Sequence, residues 1–595
     1  MSQGDAAPPT TDEGTIIIVA HRGPHDFVWE NGRWVAKRAV GGIISMIEPL
    51  ARQPNVAWFC CVSEPPESEA ERDALYTTAK DQTDPDLNVV PVPLPAEVYR
   101  DYYGTISNEV LWMLQHHLVG QFGYASLDEQ RHRAWAHYVD ASRRVADAVV
   151  LTGIPVRAFV LQDYHLFPLA EMLRKHFPDT PTLHFIHIPF PGPAILKLLP
   201  RAWRETILRG LLGADIVGLQ TSEGVRAFLA SCEELLGLRV NYPAAIVTLE
   251  SGRAVRVKAF PGSIDPETVR AYQKTLQVAS ARQQLKDELR ERNIVRVDRL
   301  DPSKNQVLGF TAFGRLLERN PEWIGKVRFL AFLVPSRTDL TIYREYRDSV
   351  YAEIEAVNAR FRERCGYDPI AVFYTNERAI AVAALECSDV FLANSRQDGM
   401  NLVVKEWAIL SRRSGVLVLS ETAGAASEGA GRDLLICPFD IEGTAEALAK
   451  ALAYPEERRK ASLEAFRTSV EQWTARHWLD ALLNELGVGE TERPPASPSG
   501  ARRHTKSIDR FECTLTVQNQ LGIHARPAAA FVRCAREYDC EMEIEKDGEV
   551  FPAKSILAVL SAGLDQGTSF ILRARGPDAK VAAERLRELL ANFRD

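Results

Sequence analysis

The chain has 595 residues, 46% hydrophobic and 25% charged, a balance that fits a multi-domain soluble globular protein and excludes fibrous and low-complexity classes. A formal net charge of −8, with no basic run interleaved with aromatics, argues against a nucleic-acid partner, and no apolar stretch reaches membrane-spanning length. Nine cysteines scattered without a C-x-x-C pair read as free thiols, so a reducing, cytoplasmic location is expected and a zinc site is not. In chain order, short apolar runs alternate with helical stretches: TIIIVA (15–20), RAFVLQ (157–162), TLHFIHI (182–188), ADIVGLQ (214–220), NIVRV (293–297), VRFLAFLV (327–334), DVFLAN (389–394) and GVLVLS (415–420). Runs apolar on both faces and separated by helices predict parallel sheets in doubly wound α/β domains.

Polar residues follow these runs. TIIIVA leads to His21 and Arg22, the next run to Asp163, Tyr164 and His165, HFI to His187, IVRV to Asp298 and Arg299, LAFLVPS to Arg337, and DVFLANSRQ to Asp398. Ligand groups in open parallel sheets gather at the carboxyl ends of strands, so these residues are expected to converge on one crevice. Arg22, Arg299, Lys304 and Arg337 are cations suited to a phosphate-rich ligand. In SRQDGMNLVVKEW (395–407) a glycine-containing loop enters a helix, whose first amides, from Gly399 to Leu402, can bind hydroxyls or phosphate. Asp398 can accept from sugar hydroxyls, or can simply cap the helix; Glu406 lies further along and can accept from a ribose diol.

Residues 489–507, GETERPPASPSGARRHTKS, lack periodicity and read as a flexible tether. Beyond it, FECTLTVQ (511–518) and GTSFILRA (567–574) alternate as half-buried strands, predicting a small α+β domain. Between them, GIHARPA puts His524 at the mouth of a helix, since Pro527 is tolerated only in a first turn. A helix N-terminus attracts anions and imidazole is nucleophilic near neutral pH, so His524 can carry a phosphoryl group with Arg526 in support.

Two resemblances sharpen this. Through GIHARPA and KSILAVLSAG, residues 508–595 resemble the phosphocarrier protein HPr of the sugar phosphotransferase system, an open-faced β-sandwich. The resemblance implies that His524 is phosphorylated with Arg526 as its partner, by phosphotransferase-system enzyme I, and that Ser555 matches a regulatory site of an HPr kinase. A serine before an apolar run is also an ordinary helix cap. Residues 14–488 resemble the trehalose-6-phosphate synthase family through GGIISMIEPL, DYYGTISNEVLW, LQDYHLFPLAEMLR, FIHIPFPGPAILKLLP, LLGADIVGLQT, DRLDPSKN, VPSRTD, DGMNLVVKE and FDIEGTA.

That resemblance implies a retaining hexosyltransferase of GT-B architecture, with Rossmann-like domains at 14–265 (acceptor) and 266–488 (nucleotide-sugar), joined through the linker 489–507 to the small domain. It implies that Gly41 and Gly42 close over the donor phosphates, that Arg299 and Lys304 hold the diphosphate, and that Asp398, Met400, Asn401, Leu402, Val403 and Glu406 bind the donor. Arg22, Tyr103, Trp112 and Arg337 would hold a sugar phosphate, with Asp163 on an acceptor hydroxyl and His187 beside the transferred sugar. No metal or separate cofactor is implied. Four positions depart from the family pattern: Gln162, Gln397, Pro302 and Asn305 stand where His, Arg, Tyr and Gly are usual. Two alternatives stay open, a pseudo-glycosyltransferase joining a nucleotide-cyclitol to an amino-cyclitol phosphate, and a sugar-phosphate sensor without catalysis. Monomer and homo-oligomer are equally open.

Overall fold

The computed structural model describes residues 14–488, apart from 40, 64, 121–125 and 430–433, and most of 510–591. It divides between Thr491 and Glu492 into two units. The first unit holds two sheets. Strands Val89–Pro93, Val56–Val62, Thr15–Ala20, Val156–Gln162, Thr182–Phe185, Ile216–Leu219 and Ala254–Ala259 lie side by side in that order, all parallel. Two short antiparallel strands, Ile246–Thr248 and Arg239–Asn241, finish the edge. In the second sheet the parallel order is Ile370–Tyr374, Val327–Val334, Arg292–Arg299, Val390–Ala393, Val416–Ser420 and Leu435–Ile436. Numbered along the chain this is 3-2-1-4-5-6, the Rossmann order, and the first sheet begins the same way. The central strands are buried on both faces, as their unbroken apolar runs require; Ile17, Ile18, Phe329 and Leu330 are fully buried.

Two features were not legible in the periodicity. Helix Ala475–Leu486 falls in the 266–488 range, yet it crosses back: Trp478, Leu479 and Leu482 share a core with Ile18 and Trp58 of the first sheet, and Trp478 meets Phe185 edge-on. Residues Arg100–Leu111 wind as a π-helix that runs on into the α-turn Trp112–Gln115. Tyr103 and Trp112 are nine residues apart, about two and a half turns of an α-helix but about two of the wider π-helix, so the widening puts both on one face. Ser107 Oγ and Asn108 Nδ2 donate to carbonyls five residues back, at 2.8 Å each.

Between the sheets the chain passes through Phe260–Ile264. The Gly262 amide donates to Gln220 Oε1 at 2.7 Å, and its carbonyl accepts from the buried Lys405 Nζ at 2.7 Å. Trp473 Nε1 donates to the Pro261 carbonyl at 2.7 Å. These bonds tie the crossover to both lobes.

The second unit is a four-stranded antiparallel sheet, ordered Arg510–Thr516, Ser569–Arg575, Glu541–Lys546, Glu549–Pro552. Helices Ala525–Arg536 and Ala579–Ala591 share its core through Phe531, Val532, Ala583 and Leu586 packed with Leu515, Ile544 and Leu572. Both predicted strands are present. His524 lies outside the described residues; the helix begins at the next position. Among the described residues no helix is long and apolar enough to cross a membrane.

Candidate functional site

Each of the two sheets has a switch point where strands 1 and 4 lie side by side, and a ligand crevice forms beyond the carboxyl ends there. In the first sheet these strands deliver His21 and Arg22 on one side and Gln162 and Asp163 on the other. In the second they deliver Arg299 to Lys304 and the loop Asn394–Asn401. The two crevices face each other across one cleft of about 450 Å³. It brings together Arg22, Gly41, Gly42, Tyr103, Trp112, Asp163, His187, Arg299, Lys304, Arg337, Asp398 and the loop Met400–Val403. Glu406 is not part of that lining: it is half-buried on helix Leu402–Leu410, 3.5 Å from Arg378 Nη2.

One wall is cationic. Lys304 Nζ pairs with Asp398 Oδ2 at 2.5 Å, and Ser395 Oγ donates to the same oxygen at 3.1 Å. Asp398 therefore holds a lysine instead of capping the helix. Asn401 is the cap, at φ 70°, accepting from the Val404 amide at 3.4 Å. Gly399 must be glycine: a Cβ there would lie 1.9 Å from the His187 carbonyl oxygen, so the donor-side loop rests directly on the first lobe. Opposite it, a Cβ on Gly42 would approach Leu402 Cδ1 to 3.1 Å.

The other wall is aromatic and tightly bonded. Arg337 stacks over Trp112 at 4.1 Å, with Arg299 over the same ring at 5.0 Å. Its Nη1 donates to Asp301 Oδ2 at 2.8 Å and to the Tyr343 hydroxyl at 2.5 Å. Asp301 is fully buried and also accepts from Trp112 Nε1 at 3.3 Å and Ser303 Oγ at 2.8 Å. Burial alone would raise its carboxyl; Arg337 and then Arg299 outweigh that and hold it down at about 2. His21 stacks with Tyr103 and with His165, at ring spacings of 4.2 and 4.7 Å. Burial, with Arg22 and Arg337 nearby, pushes its pKa down to about 3, so the ring is neutral. Arg22 is the exposed member, bonded through Nε to Asp26 at 3.0 Å.

At the back of the cleft Asp163 takes φ 69° and ψ −179°, a conformation that is strained for a residue with a Cβ, by about 1–3 kcal/mol. The site holds it there: its amide donates to the Phe185 carbonyl at 2.6 Å, its own carbonyl accepts from His184 Nε2 at 2.9 Å, and Oδ1 accepts from the His187 amide at 3.1 Å. Burial raises its carboxyl to about 7, against the pull of the His187 and Tyr164 amides and of Arg337 and Arg299. The raised value means the group charges only as pH climbs through neutrality. If Asp163 accepts from an acceptor hydroxyl, kcat/KM should rise with pH through about 7, and Asp163→Asn should flatten that limb; an unchanged limb in the variant assigns it elsewhere.

Of the four departures, only Gln162 lines the cleft. Asn305 takes φ 57°, a left-handed conformation that glycine accepts freely and asparagine tolerates. Its buried side chain donates to the carbonyls of Asn394 at 3.1 Å and Pro438 at 2.7 Å, so that departure serves the scaffold. His165 lines the cleft as expected, while sequence reasoning missed Asp301 and Gln220 as parts of the site. Asp301 sits inside the quoted DRLDPSKN, where its burial was the unseen fact.

In the second unit, Arg526 lies in the first turn of helix Ala525–Arg536. Ser555 is half-buried and its Oγ accepts from the Ala558 amide at 3.4 Å, the geometry of a helix cap. Ser555→Ala should lower the stability of this unit by about 1 kcal/mol in denaturant titration; no change would remove the capping role.

Two facing Rossmann-like lobes with cations at both switch points define a glycosyltransferase of the GT-B class. The profile of glycosyltransferase family 20 matches residues 14–487, and the chain belongs to that family. Residues 511–592 match the profile described as the PTS HPr component phosphorylation site. The alpha,alpha-trehalose-phosphate synthase (UDP-forming) A of Dictyostelium discoideum is 31% identical over 477 residues, 80% of this chain and 62% of that protein. The alpha,alpha-trehalose-phosphate synthase (UDP-forming) of Pichia angusta is 32% identical over 491 residues, 80% of this chain and 99% of its own. A crystal structure of an alpha,alpha-trehalose-phosphate synthase (UDP-forming) from Burkholderia xenovorans in complex with glucose-6-phosphate aligns with a TM-score of 0.66 at 28% identity. That alignment covers 80% of this chain and 100% of that one.

Proposed function

We propose that this retaining glycosyltransferase moves glucose from UDP-glucose to glucose 6-phosphate, giving α,α-trehalose 6-phosphate and UDP. The observation that carries the reading is the gathering of four cations, Arg22, Arg299, Lys304 and Arg337, in the lining of one cleft. A nucleotide-sugar and a sugar phosphate each bring a phosphate group, and the names of the relatives agree with that pairing.

The step proposed is the front-face transfer with retention that the family resemblance implies. The bond from sugar C1 to the diphosphate oxygen breaks, the acceptor hydroxyl oxygen bonds to C1 from the same face, and its proton passes to the departing diphosphate oxygen. Negative charge grows on the diphosphate, where Arg299 and Lys304 stabilise it, so the reading needs no metal. Arg22, Tyr103, Trp112 and Arg337 grip the acceptor phosphate and fix the distance between the reacting atoms. His187, held neutral by burial with a pKa near 3, offers hydrogen bonds to the transferred sugar without adding charge. The test is nucleoside diphosphate release from a panel of nucleotide-glucoses and sugar phosphates. Fastest turnover with UDP-glucose and glucose 6-phosphate is expected; binding without turnover, or turnover of nucleotide-cyclitols alone, would overturn the reading.

We also propose that His524 accepts a phosphoryl group from phosphotransferase-system enzyme I, and that this state sets the rate of glucosyl transfer in the cytoplasm. The match of residues 511–592 and the helix that opens at Ala525 support it. A phosphoryl group adds charge that an arginine cluster can read. Equal transferase rates for the intact chain and His524→Ala, with and without phosphorylation, would remove this role. Ser555 as a second phosphorylation site, for an HPr kinase, is tested by the same comparison on Ser555→Ala.

A further inference from the structure

Gln162 ends strand Val156–Gln162 and lines the cleft beside Asp163, with only 1% of its surface exposed. Its Oε1 lies 2.8 Å from His187 Nε2. With the amide oxygen accepting in this orientation, the ring donates from Nε2, the tautomer that the second test below reads directly. Gln162 and Asp163 thus clamp His187 from two sides, one on the ring and one on the backbone amide. Leu or Met here would leave the imidazole free to exchange its proton between nitrogens.

The other end of the amide is unspent. Gln162 Nε2 is buried and has no partner in the protein. Buried donors in native proteins are almost always satisfied, and this one belongs to a side chain that lines the cleft. The family pattern has histidine at this position, which cannot both accept from His187 and present two N–H groups from one planar end.

We propose that Gln162 is a specificity residue of this chain: its carbonyl fixes the His187 tautomer, and its amide N–H donates to one hydroxyl of a sugar in the cleft. The inference rests on the glucosyl-transfer reading above. Its two parts are separable by experiment.

The first test is a cycle of kcat/KM for the full chain and Gln162→Leu, each with UDP-glucose and glucose 6-phosphate and with their monodeoxy forms. Gln162→Leu should lose about tenfold or more with the parent sugars, and one monodeoxy sugar should cost the wild-type chain several-fold, at most the loss seen in Gln162→Leu, while costing the variant nothing further. A deoxy donor that meets this condition places the hydroxyl on the transferred glucose; a deoxy acceptor places it on glucose 6-phosphate. Losses that multiply for every deoxy sugar overturn the contact and leave a water as the partner. Gln162→Met serves if the leucine variant does not fold.

The second test needs no turnover. In the full chain labelled with ¹⁵N-histidine, the His187 ring signals, identified by their loss in His187→Ala, should report a proton on Nε2 alone. That preference should be lost in Gln162→Leu; identical ring signals in the two proteins overturn the positioning role. Absence of wild-type turnover would fail the proposed reaction while this second result stands.

Discussion

Lys304→Met should lower kcat by about 10²–10³-fold. The leaving diphosphate gathers charge as its bond to the sugar breaks, so a cation beside it acts more strongly in the transition state than in the bound substrate. Methionine keeps most of the volume and removes the charge. It also leaves Asp398, 2.5 Å away in the wild-type chain, as an unopposed carboxylate facing the diphosphate, which adds repulsion to the lost attraction. Lys304→Met/Asp398→Asn should therefore recover part of the loss, because the repulsion goes with the second charge. A loss below tenfold in kcat, or one confined to KM, would mean that Lys304 binds the donor without assisting departure.

Arg337→Met carries the second large effect, and it appears in stability as well as catalysis. Asp301 is fully buried, and its low pKa of about 2 exists because Arg337, then Arg299, offset the burial. Without Arg337 the carboxylate stays buried beside Arg299 alone, and breaking such a pair from one side typically costs about 3–5 kcal/mol. The folded-state pKa lies below the unfolded one, so the wild-type chain keeps this contribution above about pH 4 and loses it as pH falls toward 2. In the variant the carboxyl rises, and its ionised form becomes a liability near neutrality. The stability gap should be largest near pH 7 and shrink as pH falls toward 4. Arg337→Met/Asp301→Asn should be closer to wild type than Arg337→Met, while KM for the sugar phosphate stays high in both. A gap that does not vary with pH, or an unchanged KM, would contradict the assignment.

Much of this architecture was readable in the chain. TIIIVA, RAFVLQ and VRFLAFLV form buried parallel strands because each is apolar on both faces, and their polar followers meet because both sheets reverse their winding at strand 1. The cationic loop ends and the SRQDGMNLVVKEW loop were legible for the same reason: local chemistry sits at a position that topology makes special. What periodicity could not carry was pairing over distance. Nothing in DYYGTISNEVLW announces a π-helix, since the widened ladder is set by how the segment packs and by Ser107 and Asn108 reaching back to carbonyls. Asp398 was an open choice between cap and ligand until Lys304, 94 positions earlier, was seen against it. The partnership of Asp301 with Arg337 and the burial of Gln162 are likewise tertiary facts, and so is the return of helix Ala475–Leu486 to the first lobe.

The most direct measurement is the structure of the product formed from UDP-[¹³C₆]glucose and unlabelled glucose 6-phosphate, read by mass and by NMR at the anomeric carbons. Transfer with retention between the two walls of the cleft predicts a disaccharide monophosphate, α,α-1,1-linked, with the label confined to the ring that carries no phosphate. A β-configured labelled carbon, or labelled free glucose with no disaccharide, would contradict it.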